Sequence, residues 1–245
     1  MIRRFLGSLH FLTILPITGA TASPGEAAVF FPLTGGLLGA AAGLITAAFT
    51  RALGRSLGSL LAISALAAIT GCLHEDGLAD VADAVRAGRT RERMIEILKD
   101  SRIGTYGTIA LIFSVAVRWQ SLGQITVNPV PGLAGVLALS RTSLVAMAAS
   151  SRAFGPGMAR DFAAACSHGV LAGVVVQCAV IIALLSLWIG WLHAIAMSLS
   201  TVLIIFLARA YFAKRLNGVN GDCLGATCQT VETMNLLILA WHSSF

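Results

Sequence analysis

Residues 71–83 read GCLHEDGLADVAD and place four carboxylates, Glu75, Asp76, Asp80 and Asp83, within nine residues of a chain that has only eleven acidic residues in all. Asp76, Asp80 and Asp83 stand at i, i+4 and i+7. At 3.6 residues per turn, that spacing puts all three within about a 60° arc of one helix face. Like charges so placed repel one another unless a cation lies among them. A single aspartate would be read as a solvated helix end pairing with the arginines that follow. Three on one face beside an apolar segment point instead to a hard cation such as Mg²⁺, which takes a few carboxylates, keeps some waters and bridges to substrate phosphates. Glu75 lies about 100° from Asp76 around such a helix, where it meets a second ion or orients a ligand. Gly77 weakens the helix by roughly 1 kcal/mol relative to alanine, marking a helix start or a close approach of substrate to backbone. His74 has two readings, a hydrogen-bonded structural residue or a substrate ligand.

Positive charge follows. The segment RTRERMIEILKDSRIGTYG reads as a short amphipathic helix ending near Asp100, with Met94, Ile97 and Leu98 on its apolar side. Lys99 and Arg102 come next, then Gly104 and Gly107 at the start of an apolar run. Charged side chains beside free N–H groups at a helix start hold anions; the plainer reading makes Lys99 and Arg102 interfacial anchors. Clustered carboxylates followed by clustered bases is the layout of a metal–diphosphate site. Arg86, Arg89 and Arg91 are read as surface charges facing lipid headgroups. Arg141 falls near the middle of an apolar segment, where a charge costs at least about 2.5 kcal/mol, and is expected to face a polar interior. Arg118 and Arg209 lie nearer segment ends and are expected to snorkel. Asp222, with Asn217 and Asn220 nearby, follows a glycine-rich turn and is placed to complete a cation site or orient a hydroxyl.

The elements that must position these groups are membrane helices. The chain is 57 % hydrophobic and 11 % charged, with a mean hydropathy of +0.85, against roughly 25 % charged residues in soluble domains. Spans of about 20 apolar residues are read at 29–50, 57–73, 104–124, 131–150, 169–190 and 192–212, with a weaker seventh at 223–241 that carries Glu232. The N-terminal piece 5–17 is too short to span and is read as interfacial or re-entrant. The expected fold is an all-α polytopic bundle of six to seven spans forming one domain over 1–245, with 74–103 as a cytoplasmic catalytic loop. With the N-terminus inside, twelve Lys and Arg residues fall in cytoplasmic segments and two, Arg51 and Arg55, outside, so the positive-inside rule places the acidic stretch in the cytoplasm. The net charge of +6 follows from those loops. No basic–aromatic strip marks a nucleic-acid surface. No small-residue cleavage site follows the N-terminal apolar stretch. The five cysteines are scattered without a zinc spacing and read as small buried hydrophobes.

Three blocks, TGCLHEDGLADVADA (70–84), ILKDSRIGTYG (97–107) and NGDCLGATCQTVE (220–232), resemble the adenosylcobinamide-GDP ribazoletransferases, also called cobalamin 5′-phosphate synthases. FLTILP and FFPLTGGLLGA near the N-terminus match the family's opening, so the resemblance covers essentially the whole chain. Ala84, Leu98 and Asn220 depart from the residues frequent in the family, without removing a charged group. The resemblance implies a Mg²⁺-dependent inner-membrane transferase in cobalamin biosynthesis, joining adenosylcobinamide-GDP to α-ribazole or its 5′-phosphate and releasing GMP. Asp76, Asp80 and Asp83 would hold Mg²⁺. Lys99, Arg102 and Arg141 would stabilise charge on the transferring phosphorus, and Glu75 or Asp222 would accept the proton of the attacking hydroxyl. His74, Gly104, Asn217 and Asn220 would contact substrate. The implied partners are these small molecules and the bilayer, with a homo-oligomer left open and nucleic acid excluded.

Two other classes share part of this pattern. A CDP-alcohol phosphotransferase also sets spaced aspartates beside membrane helices, but Ala82–Asp83 stands where its DGxxAR element needs Ala–Arg. An ion-coupled transporter would carry its acids inside the spans rather than at their mouth.

Overall fold

The computed structural model describes residues 1–19, 22–155 and 158–241, so the last four residues of the 1–245 domain reading lie outside the described residues. In chain order the helices are α1 (Ile2–Leu12), α2 (Pro24–Ala27), α3 (Phe31–Thr70), α4 (Leu73–Ala87), α5 (Arg91–Ile97) and α6 (Thr105–Gln124). Then come α7 (Pro129–Ser150), α8 (Met158–Ala165), α9 (His168–Ile189), α10 (Trp191–Leu216) and α11 (Gly221–Ala240). No strand occurs among the described residues; one isolated bridge joins Ala153 and Val219.

The segments 29–50 and 57–73 fall in the two halves of α3, which are two helices joined at a kink, as expected. Gly54, with φ +84° and ψ 166°, breaks α3 internally. A Cβ on Gly58 would meet the backbone nitrogen of Thr50 at 2.6 Å, whereas residues eight apart on a straight helix are about 12 Å apart. The chain therefore doubles back at Gly54, a backbone conformation that suits glycine. The outgoing half packs on α7 through Gly35, Gly39 and Gly43, spaced four apart and pressed against the backbone of Leu137, Leu133 and Val130. The returning half meets the end of α6, where the Trp119 indole donates to the Ser56 carbonyl at 2.8 Å. Such small-residue stripes let helix backbones approach where lipid supplies no hydrophobic drive to associate.

Helix α7 is the centre of the bundle. In its apolar window 89 % of residues are buried, against 17 % in those of α9 and α10. The latter two expose Leu184, Leu187, Val202 and Phe206, and an apolar groove of about 760 Å³ runs between them and α7. Outward-facing apolar helices around a polar interior are the arrangement of a membrane protein. Among the described residues, four helical stretches are long and apolar enough to cross a bilayer: 24–70, 129–150, 168–189 and 191–216. Helices α6 and α11 have the length of a span, 20 residues each, but fall outside that set.

The N-terminal piece forms α1 from Ile2 onward, with the Ser8 hydroxyl against that of Thr34 at 2.5 Å. The 74–103 loop is largely helical, as α4 and α5; α5 ends at Ile97 and buries Met94, with Leu98 buried behind it. Four cysteines are buried and all are free. Cys72 departs from the expectation. It is exposed and, together with Gly71, adopts the left-handed conformation (φ 55° and 62°) that turns the chain from α3 into α4.

Candidate active site

The site lies at one end of the bundle, where α4, the start of α6 and the start of α11 meet. Helix α4 crosses α11 where both lack a side chain. A Cβ on Gly77 would stand 2.8 Å from the Asp222 carbonyl oxygen, and one on Gly225 would stand 3.5 Å from the Gly77 Cα. Gly77 thus admits the backbone of α11 rather than starting a helix, and this contact carries Asp222 to the acidic face of α4.

Asp76 is exposed, while Asp80 and Asp222 are half-buried. Both α4 and the Asp222 turn lie outside the apolar spans. The Asp80 carboxyl is raised to about 6 by burial and by the negative charges of Asp76, Asp222 and Asp83. Burial also raises the Asp222 carboxyl, against the hydrogen bond from the Asn220 amide, with Asp76 adding to the rise. That amide donates to Asp222 Oδ2 at 2.6 Å, and the Asn220 Oδ1 caps α11 by accepting from the Cys223 N–H at 3.1 Å. Asn220 therefore orients a carboxylate. Asn217, exposed and left-handed at φ 58°, ends α10.

Asp83 does something else. Its carboxylate is buried and accepts the N–H of Gly104 at 2.7 Å and that of Gly107 at 3.0 Å. It caps the first turn of α6, where unpaired N–H groups and the helix dipole attract negative charge. The N–H of Gly104, expected to receive a substrate anion, is taken by this aspartate. Among the described residues no three His, Cys, Asp or Glu side chains form a ready-made metal cluster. Asp76, Asp80 and Asp222 make no ion pair among the described residues.

Glu75 points into the bundle. Arg118 Nη1 donates to it at 3.1 Å and the Gln229 amide at 2.8 Å. The same guanidinium reaches Glu232 at 3.0 Å, and Glu232 is also paired with Arg141. Arg141 meets the polar interior its position demanded, bound to Glu232 and to the Ser140 hydroxyl at 2.7 Å. Arg118 does not snorkel. It is 1 % exposed and holds together α4, α6 and α11. The missing partner was Glu232, a mid-helix acid whose only reading had been a weakened span; opposite charges in separate apolar segments were the available signal. His74 is buried beside this network, with Nε2 unpartnered.

Lys99 and Arg102 are not brought to the carboxylates. Both are exposed. The Arg102 guanidinium is paired with Asp100 at 2.8 Å, which holds the Asp100 carboxyl down at about 2 through that hydrogen bond. The clamp of Lys99, Arg102 and Arg141 is therefore not assembled.

The described helices form a membrane-type bundle whose polar end carries unpaired carboxylates over a buried ion network. The chain belongs to the cobalamin-5-phosphate synthase family, which it matches over residues 4–240. It is 34 % identical over 249 residues to a protein of Klebsiella pneumoniae strain 342 named adenosylcobinamide-GDP ribazoletransferase, covering 98 % of this chain and all of that one. Proteins of the same name in Bradyrhizobium diazoefficiens and Sinorhizobium medicae are 37 % and 35 % identical. They cover 94 % and 95 % of this chain and 90 % and 94 % of their own lengths. No solved structure matches the chain.

Proposed function

We propose that the protein joins adenosylcobinamide-GDP to α-ribazole or its 5′-phosphate in cobalamin biosynthesis. A ribose hydroxyl attacks the phosphorus that bears cobinamide; one P–O bond forms, the bond to GMP breaks, and the hydroxyl proton passes to a carboxylate. The observation that carries this reading is the convergence of Asp76, Asp80 and Asp222, without a cationic partner among the described residues, in a chain matched to the family from end to end. The names of the relatives support the substrates.

Asp76 and Asp80 would hold Mg²⁺. The fit rests on their chemistry: oxygen donors, crowded like charges and an Asp80 carboxyl raised to about 6 by burial and by its acidic neighbours, a small set suited to an ion that binds through one or two carboxylates and substrate phosphates. Held there, Mg²⁺ would supply positive charge against the diphosphate and the departing GMP. Asp222, whose carboxyl is raised above its ordinary value by burial, accepts the hydroxyl proton. Glu75, engaged by Arg118 and Gln229, positions α4 instead. Asp83 fixes α6, and Lys99 and Arg102 contribute surface charge that attracts the anionic donor. Twelve cytoplasmic against two external basic residues support a site on the cytoplasmic side of the bilayer.

The test is GMP release by the purified full-length protein in nanodiscs, supplied with adenosylcobinamide-GDP and each acceptor, with Mg²⁺ or with a chelator. Release that needs both acceptor and Mg²⁺ is expected. Release independent of acceptor would overturn the transfer, and release indifferent to chelator would overturn the metal assignment.

A further inference from the structure

A second charged feature opens at the same end of the bundle and takes no part in the carboxylate site. A polar cavity of about 440 Å³ is lined by Val85, Arg86, Gly88, Arg89, Tyr106 and Arg215. Its walls come from the last turn of α4 with the residues just after it, the first turn of α6 and the last turn of α10. Arg215 is fixed there, half-buried, donating to the Gly88 carbonyl at 3.0 Å and to the Met94 sulfur at 3.5 Å. The Arg86 guanidinium lies over the Tyr106 ring, 5.8 Å from its centroid. Arg89 makes no side-chain hydrogen bond or ion pair among the described residues. None of the three arginines is paired with a carboxylate among those residues, although Glu92, Glu96 and Asp100 follow within a few positions. Of these acids, Glu96 pairs with Arg93 and Asp100 with Arg102, while Glu92 makes no ion pair among the described residues.

Three guanidiniums around one recess repel each other, an arrangement that is favourable only with an anion among them. Guanidinium matches phosphate oxygens bidentately, and a phosphate ester supplies enough negative charge for several such contacts. The cavity falls within the size range of small-molecule sites. Its position ties it to catalysis, since Arg86 follows Asp83 by three residues, about 4.5 Å of helix rise, and Tyr106 lies between the two glycines whose N–H groups Asp83 binds.

We propose that Arg86, Arg89 and Arg215 form a phosphate-ester subsite that holds a substrate phosphate away from the carboxylates. The inference rests on the proposed transfer for the identity of the ligand, and two substrates carry such a group: the guanine nucleotide of the donor and the 5′-phosphate of the acceptor. Arg86→Ala and Arg89→Ala are the variants, with Arg89→Lys to keep charge while losing the bidentate fork. Arg93→Ala, on the exposed side of α5, is the control. Steady-state kinetics in nanodiscs give KM separately for the donor, for α-ribazole 5′-phosphate and for α-ribazole. Calorimetric titration with GMP and with α-ribazole 5′-phosphate gives binding without turnover.

A tenfold or greater rise in KM confined to the phosphorylated acceptor assigns the subsite to the acceptor, and one confined to the donor assigns it to the nucleotide. In either case the matching ligand loses calorimetric affinity by a similar factor, and Arg89→Lys recovers only part of the loss. If affinity for both ligands is unchanged in the two alanine variants, the subsite is overturned. It is overturned equally if the variants lose only binding to vesicles containing anionic lipid. Should the wild-type protein release no GMP yet lose phosphate-ester binding in the variants, the subsite stands and the proposed transfer falls.

Discussion

Asp76, Asp80 and Asp83 share a helix face, yet they do different work, and substitutions should separate them. Asp83→Ala removes two charge-assisted hydrogen bonds from the start of α6, each worth roughly 1.5–3 kcal/mol, so a clear loss of thermal stability is expected along with lost activity. Asp76→Asn, at an exposed position, should leave the unfolding temperature unchanged while abolishing Mg²⁺-dependent GMP release. Equal stability of the two variants would remove Asp83 from its structural role. Asp80 adds a pH dependence. Its folded pKa of about 6 lies above the ordinary 3.8, so the fold favours the protonated form. Without a divalent cation, stability should be highest at low pH and decline as pH rises from about 4 through about 6. Thermal unfolding in chelator at pH 5 and pH 7 checks this, with Asp80→Asn expected to flatten the difference and Mg²⁺ to reverse it in the wild type. The periodicity of the acids was legible in the sequence. Asp83's duty was not, because its partners are backbone groups twenty-one and twenty-four residues away, and nothing in residue type distinguishes a cap from a ligand.

Among the elements, α4, α6, α7 and α11 are tied by Glu75, Arg118, Glu232 and Arg141. Glu232 neutralises two guanidiniums, whereas Arg118 keeps Glu232 when Glu75 is lost. Glu232→Gln is therefore expected to destabilise by about 3–5 kcal/mol, the cost of leaving buried charge unpaired, and Glu75→Gln by visibly less. Chemical unfolding of the two variants in detergent compares them directly, and equal losses would contradict this ranking. The helices themselves were readable: 131–150, 169–190 and 192–212 correspond closely to α7, α9 and α10. The doubling of α3 at Gly54 was legible only as a gap between two apolar runs, since the glycine that bends it looks like the many glycines that merely pack. Arg118 was misplaced for a different reason. Distance from a segment's end predicted snorkelling, while the burial that governs it comes from helices more than forty residues away in either direction.

For the whole molecule, the expectation is a bilayer-spanning bundle with its polar end in the cytoplasm. In a Cys72→Ser background, where the remaining cysteines are buried, single cysteines in place of Arg93 and Lys214 should resist a membrane-impermeant thiol reagent in intact cells and react in inverted vesicles. One in place of Arg51 should react from outside. Labelling of position 93 or 214 in intact cells would reverse the orientation. Composition fixed the bilayer as solvent without help from structure. The meeting of α4 and α11 at one end could not be read from composition, because it arises from close approaches at Gly77 and Gly225 that only the folded backbone displays.

The grip of Asp83 on Gly104 and Gly107 has a mechanical consequence. It bolts α4 to the mouth of α6, so Asp76 and Asp80 travel with Tyr106 and Arg86 as a single stiff plate. Any rearrangement that admits or expels a bulky corrinoid must then be taken up elsewhere. Asp222 is wedged against that same plate at Gly77, so the three unpaired acids keep a fixed gauge, like jaws cast in one piece.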